Sequence, residues 1–116
     1  MYNPGSHVLA ELKVSDTTLL CEYYAFKDLL DNLIEKHGLQ KVGEVYHQFD
    51  CAGYTGMVCL TESHISIHTW PEFGIITYDV FLSNFRRDNT EKVHAIHEAI
   101  RLFFDGAIIQ QTELKR

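Results

Sequence analysis

The sequence lacks any apolar run long enough to span a bilayer, and it lacks a basic, apolar leader at its start. A membrane helix and an export signal are therefore not expected, and the expected compartment is the cytoplasm. It also lacks paired cysteines. Cys21, Cys51 and Cys59 are odd in number and form no CxxC, so free thiols are expected rather than a disulfide scaffold. Positive charge is scarce. Ten Lys and Arg face sixteen Asp and Glu, for a net charge of −6. That balance argues against a nucleic-acid or membrane-surface partner and leaves room for a small cationic substrate. No internal repeat, low-complexity tract or linker is present.

What is present suits one folded domain spanning 1–116. Hydrophobic residues make up 46% of the chain and aromatics 12%, enough for a core at this length. The 22% of charged residues mix both signs, which is not a disordered composition.

The apolar spacing predicts the elements. Residues 7–14 (HVLAELKV) alternate as a strand. Ser15-Asp16-Thr17-Thr18 then offers N-cap chemistry. Leu19, Tyr23, Phe26, Leu30 and Leu33 recur at steps of three and four, which predicts a helix over 17–37 stopped by Gly38. Strands follow at 42–49, 54–60, 64–69 and 74–82. Asp88 and Asn89, with Glu91 three residues after Asp88, open a second helix whose face carries Val93, Ile96, Ile100 and Phe103. Gly106 stops it. A short strand at 107–111 and a polar tail complete the order β-α-β-β-β-β-α-β. The expected fold class is α+β: a two-layer sandwich with a mostly antiparallel sheet and two helices on one face.

Chemistry-bearing side chains concentrate in residues 61–72, TESHISIHTWPE. One reading is a metal site built from His64 and His68. The β-branched residues between them, the period-two alternation and Pro71 argue for a strand. Four strand residues span roughly 13 Å, too far for ligands whose bonds to zinc are about 2 Å. No metal is expected. A second reading is an edge strand with isoleucine inward and serine and histidine outward, and the alternation alone fits it.

A third reading rests on eleven consecutive residues, Glu62 to Glu72. They resemble the signature of the small prokaryotic S-adenosylmethionine decarboxylases: ESH, a hydrophobic residue, Ser or Thr, Ile, then HTWPE. His7, Phe49 and the stretch Tyr78-Asp79-Val80-Phe81 lie in similar surroundings. The resemblance implies a proenzyme that cleaves itself between Glu62 and Ser63, giving fragments 1–62 and 63–116. Ser63 would become a pyruvoyl cofactor. Its carbonyl would take the substrate amine as a Schiff base and accept the electrons left by departing CO₂. His68 matches the base of processing, and Thr55 stands where the family commonly has an assisting serine. Glu72 would bind the ribose hydroxyls and Phe49 would stack on adenine, with His7 a further candidate for substrate contact. The implied substrate is S-adenosylmethionine, the implied product serves spermidine synthesis, and the implied assembly is a dimer of cleaved units with sites near the interface.

One position departs from the family. Ser83 stands where a catalytic cysteine usually protonates the substrate carbon. A thiol titrates near ~8.5, and an alcohol is a far weaker acid. This keeps two alternatives open: a homologous pyruvoyl-dependent arginine or ornithine decarboxylase, or a non-catalytic regulatory homologue.

Overall fold

The computed structural model describes residues 2–50 and 52–116. Met1 and Cys51 lie outside the described residues, so the expectation of a free thiol at Cys51 has no structural counterpart. In chain order the elements are β1 (Ser6–Lys13), a short 3-10 helix (Thr17–Leu20), α1 (Tyr24–Lys36), β2 (Lys41–Phe49), β3 (Gly53–Leu60), β4 (Ser63–Trp70), β5 (Ile75–Leu82), α2 (Thr90–Phe104) and β6 (Ala107–Lys115). All six strands form one sheet, ordered β2-β3-β4-β5-β1-β6, with every pair antiparallel. The expected α+β sandwich and the order of its elements are observed.

Period-two alternation explains the layering. Ile65, Ile67 and Thr69 of β4 are buried, as are Ile76, Tyr78, Val80 and Leu82 of β5 and Val8, Ala10 and Leu12 of β1. Both helices press on that face. Phe26, Leu30, Leu33 and Ile34 come from α1, and Val93, Ile96, Ile100 and Phe104 from α2. Burying each such large side chain contributes about 1.5–3 kcal/mol. The other face carries the alternate residues, and no helix among the described residues covers it.

Two expectations change. The helix foreseen over 17–37 is split, because a 3-10 turn ends at Leu20 and α1 begins at Tyr24. Sheet side chains take the carbonyls that a continuous helix would use. The Thr69 hydroxyl donates to the Leu20 carbonyl at 2.7 Å, and the Gln48 amide donates to the Cys21 carbonyl. The polar tail is the second change. β6 runs to Lys115 and pairs with β1 along its length, Lys115 opposite Ser6. Its polar residues are held by hydrogen bonds rather than burial: Gln111 to His97 of α2, and Glu113 to Ser6 and His94. Hydropathy carries no signal for such a strand.

The helix ends follow local chemistry. Asp16 accepts the Thr18 N–H and caps the 3-10 turn. Asp88 accepts the Thr90 N–H at 2.9 Å, while Asn89 occupies the N-cap position of α2 with its side chain turned elsewhere. Gly53, at φ 92°, also matters. A Cβ there would lie 2.5 Å from the Thr69 hydroxyl, so glycine permits the tight entry into β3. No helix among the described residues is long and apolar enough to cross a membrane.

Tyr54 is fully buried, and its hydroxyl has no hydrogen-bond partner among the described residues. Burial raises its pKa. Tyr54→Phe keeps the ring against Tyr23 and Phe26 and removes an unsatisfied group that costs about 1–3 kcal/mol. The variant is expected to melt several degrees higher; a lower Tm would contradict an orphaned hydroxyl.

Candidate functional site

Two separate clusters lie at the two ends of β4, and their strand residues His7, His64, Ser66, Asp79, Thr55 and His68 alternate to the face opposite the helices. The first surrounds the start of β4. A two-residue turn, Thr61-Glu62, joins β3 to β4, with Leu60 paired to Ser63. Ser63 has φ 136°, in the region that side-chain-bearing residues avoid. Such a conformation costs on the order of 1–3 kcal/mol and persists only where its surroundings enforce it. Here they do. The Thr61 N–H donates to the Gln40 carbonyl at 2.9 Å, and the Ser83 N–H donates to the Glu62 carbonyl at 2.8 Å. A cavity of about 640 Å³ opens beside Ser63, walled in part by Phe81, Ser83, Phe85 and Arg116.

The Glu62 side chain is held as firmly as its carbonyl. Arg87 and Asn89 hydrogen-bond its carboxylate. The Arg87 hydrogen bond holds its pKa below the usual carboxylate range against a smaller opposing effect of burial, and Asn89 adds to the lowering.

Next to this turn, three strands contribute one polar knot. Asp79 of β5 accepts from His7 Nε2 of β1 at 2.6 Å, from His64 Nε2 of β4 at 2.8 Å, and from the Ser66 hydroxyl. Burial pushes the Asp79 carboxyl up, but the hydrogen bonds from Ser66, His7 and His64 outweigh it, so the net shift is downward. Both histidines therefore carry a proton on Nε2, and His7 Nδ1 accepts from the Arg116 guanidinium at 3.3 Å. The ligand atoms of His7, His64 and Asp79 lie within 4.8 Å of one another, a spacing that could hold a divalent cation. In this structure they satisfy each other, and a guanidinium stands beside them.

The second cluster lies at the far end of β4. The Thr55 hydroxyl and His68 Nδ1 are 3.0 Å apart, and the Trp70 ring is beside His68. Phe49 is 44% exposed at the end of β2, its ring edge-on to His47, and Glu72 is exposed in the turn after β4.

The structure thus groups the residues singled out in the sequence into two sets. Glu62, Ser63, Ser83 and His7 belong to the first cluster; Thr55 and His68, with Phe49 and Glu72 near them, belong to the second. Five strand residues, or roughly 16 Å, separate Ser63 from His68. One chain does not bring its own His68 to its own Ser63. His64 and His68 likewise do not converge, since each has a different partner. In the sequence Asp79 stands out only within the stretch Tyr78–Phe81 and Asn89 only as a cap of the second helix, and neither they nor Arg87 are marked as site residues. For Asp79 a signal exists: one carboxylate in the apolar run GIITYDVFL, in phase with Thr77 and Phe81. Arg87 has none, because its loop reads only as polar and basic, and the signal at Asn89 points to a helix start rather than to a site.

Comparison with known proteins bears on this arrangement. The sequence model of the family described as S-adenosylmethionine decarboxylase matches residues 6–116. An S-adenosylmethionine decarboxylase proenzyme of Archaeoglobus fulgidus is 38% identical over 101 residues, covering 87% of this chain and 84% of that protein. One from Aquifex aeolicus is 43% identical over 77 residues, covering 66% of this chain and 57% of that protein. One from Picrophilus torridus is 38% identical over 77 residues, covering 66% and 59%. A crystal structure of the adenosylmethionine decarboxylase from Aquifex aeolicus superposes with a TM-score of 0.80 at 29% identity, covering 100% of this chain and 91% of that one.

The strain at Ser63 is directly testable. Ser63→Gly and Ser63→Ala both remove the hydroxyl, but only glycine tolerates φ 136° without strain. The glycine variant is expected to be more stable than the alanine variant by about 1 kcal/mol in denaturant titration. Equal or reversed stability would mean that position 63 is relaxed.

Proposed function

The chain belongs to the S-adenosylmethionine decarboxylase family, and we propose that it cleaves itself at Glu62-Ser63 and decarboxylates S-adenosylmethionine through a pyruvoyl group made from Ser63. The observation that carries this reading is the strained serine at φ 136° next to a carbonyl already held by the Ser83 N–H.

The chemistry follows from that geometry. Ser63 Oγ attacks the carbonyl carbon of Glu62, and the Ser83 N–H donates to the oxygen on which negative charge develops. The amide C–N bond breaks, the hydroxyl proton passes to the freed amine, and an ester links Glu62 to Ser63 Oγ. Loss of the Ser63 α-proton then breaks the Cβ–Oγ bond and releases Glu62 as a carboxylate. Water hydrolyses the remaining enamine, ammonia leaves, and a pyruvoyl group blocks the new N-terminus of the fragment 63–116. The turn, the oxyanion donor and the adjoining cavity suit this group. When present, it supplies an electron-poor carbonyl that takes the substrate amine and stabilises the charge left by CO₂. The product's aminopropyl group then serves polyamine synthesis.

The roles of His68 and Thr55 require a second copy. His68 is the base that removes the α-proton, its imidazole held by the Thr55 hydroxyl. It sits too far along β4 to reach Ser63 of the same chain. The uncovered sheet face exposes Leu9, Val45, Phe49, Met57 and Trp70. Pairing two such faces about a twofold axis sets the His68 end of one copy over the Ser63 end of the other, making two equal sites. Phe49 and Glu72 arrive from that same second copy, for adenine and ribose respectively. His7, tied to Asp79, lies on the Ser63 side.

Cleavage would not release the fragments. Residues 1–62 supply β1, α1, β2 and β3; residues 63–116 supply β4, β5, α2 and β6. β1 lies between β5 and β6, and β3 is paired to β4. Three ladders interlock the two pieces into one domain.

Intact mass measurement of the expressed protein is expected to show two fragments, the larger 1–62 and a blocked 63–116, which co-purify without denaturant. CO₂ release is expected from S-adenosylmethionine and not from arginine or ornithine. An uncut 13.4 kDa chain under all conditions would sink the reading. Co-expressing Ser63→Ala with His68→Ala tests the shared site: the His68→Ala chain should be cut only when the Ser63→Ala chain is present. Cleavage of His68→Ala alone, or no cleavage in the mixture, would rule out a base from the second copy.

Ser83 has its backbone in place, but its alcohol is a poor acid. Ser83→Cys is expected to raise kcat with S-adenosylmethionine in fully processed protein. An unchanged kcat would mean that protonation of the substrate carbon does not limit turnover.

A further inference from the structure

Residues 84–89 connect β5 to α2, and this loop reaches back to the turn before β4. The Arg87 guanidinium grips the Glu62 carboxylate at two points, Nη2 to Oε2 at 2.7 Å and Nε to Oε1 at 3.2 Å. The same Nη2 donates to the Gly38 carbonyl at 3.1 Å, beyond the end of α1. Asn89 is fully buried, and its side-chain amide donates both to Glu62 Oε1 and to the Ser83 carbonyl, each at 2.9 Å. The Asn89 N–H in turn donates to the Asn84 side chain at 2.7 Å. One amide therefore joins the Glu62 side chain to the residue whose N–H holds the Glu62 carbonyl.

For the Arg87–Glu62 ion pair, holding the fold together is a weak explanation, whereas the buried Asn89 also ties its loop to the sheet. The Arg87 side chain is 46% exposed, and ion pairs of that kind contribute little to stability. What a two-point guanidinium contact fixes is orientation. Orientation is what the turn needs: it has only two residues, and its strained neighbour must be kept in place by outside contacts.

We infer that Arg87 and Asn89 are positioning residues for self-cleavage, clamping the Glu62 carboxylate so that its carbonyl carbon faces Ser63 Oγ while its carbonyl oxygen stays on the Ser83 N–H. The inference rests on the proposed scission at Glu62-Ser63. It also extends past the reaction. Scission gives Glu62 a second carboxylate, and a cavity of about 620 Å³ lined by Arg86 and Arg87 adjoins it. The clamp thus anchors the new C-terminus of the first fragment.

The test follows cleavage of the full chain by mass spectrometry after rapid synthesis. Arg87→Ala is expected to slow cleavage by about ten- to a hundred-fold, the range that misplacement of a reacting group produces. Arg87→Lys should recover part of the rate, and millimolar guanidinium should rescue Arg87→Ala. Glu62→Gln combined with Arg87→Ala should be no slower than Arg87→Ala alone, because both changes break one contact. Thermal melts in a Ser63→Ala background should show little difference with and without Arg87→Ala. An Arg87→Ala chain that cuts within two-fold of the wild-type rate would overturn the clamp. So would slowing that neither lysine nor guanidinium relieves, since that marks a general folding defect. A wild-type chain that never cuts would instead fail the assignment of the scissile bond.

Discussion

Strand β4 is paired on both sides, to β3 and to β5, so its side chains cannot change face without breaking two ladders. Ile65, Ile67 and Thr69 are committed to the helix layer. His64, Ser66, His68 and Trp70 are committed to the uncovered face by the same alternation. Everything chemical about the molecule is arranged around this constraint. The register also fixes which neighbours each polar side chain meets. His64 and Ser66 meet Asp79 across β5, and His68 meets Thr55 across β3.

The same strand that brings the motif together in sequence spreads it out in space. Ser63 and His68 are five residues apart, which on a helix would be close and on a strand is far. On the proposed reading each end of the strand holds half of a site, and a twofold pair of sheets completes both. On the same reading the exposed Leu9, Val45, Met57 and Trp70 of the uncovered face are covered by the second copy. On the proposed reading, dimerisation is part of the chemistry and not an addition to it.

Strain and restraint are placed together at the turn before β4. Ser63 adopts a backbone conformation that glycine would favour, and the turn is held by the Ser83 N–H on one side and by Arg87 and Asn89 on the other. The restraints come from β5, the β5-α2 loop and the end of α2 nearest it. Those same elements would remain bound to the first fragment through β1, which lies between β5 and β6. A bond can therefore be cut at the centre of the sheet without taking the sheet apart.

The sequence by itself determined the order of the main elements, which residues of β4 face inward and outward, and the segment that carries the chemistry. These are properties of near neighbours: a period of two or 3.6, a cap, a glycine at a helix end, eleven consecutive residues of a signature. It did not determine the break at residues 21–23, because the groups that take those carbonyls are Thr69 and Gln48 on distant strands. It did not reveal that β6 extends to Lys115, because hydrogen bonds to α2 rather than apolar burial hold that edge. It did not reveal Asp79 as the junction of His7, His64 and Ser66, nor Arg87 and Asn89 as the grip on Glu62. Those contacts link residues 13 to 72 positions apart. Only the strand order β2-β3-β4-β5-β1-β6 decides which of them can meet, and that order is a property of the packed sheet, not of any local stretch of chain.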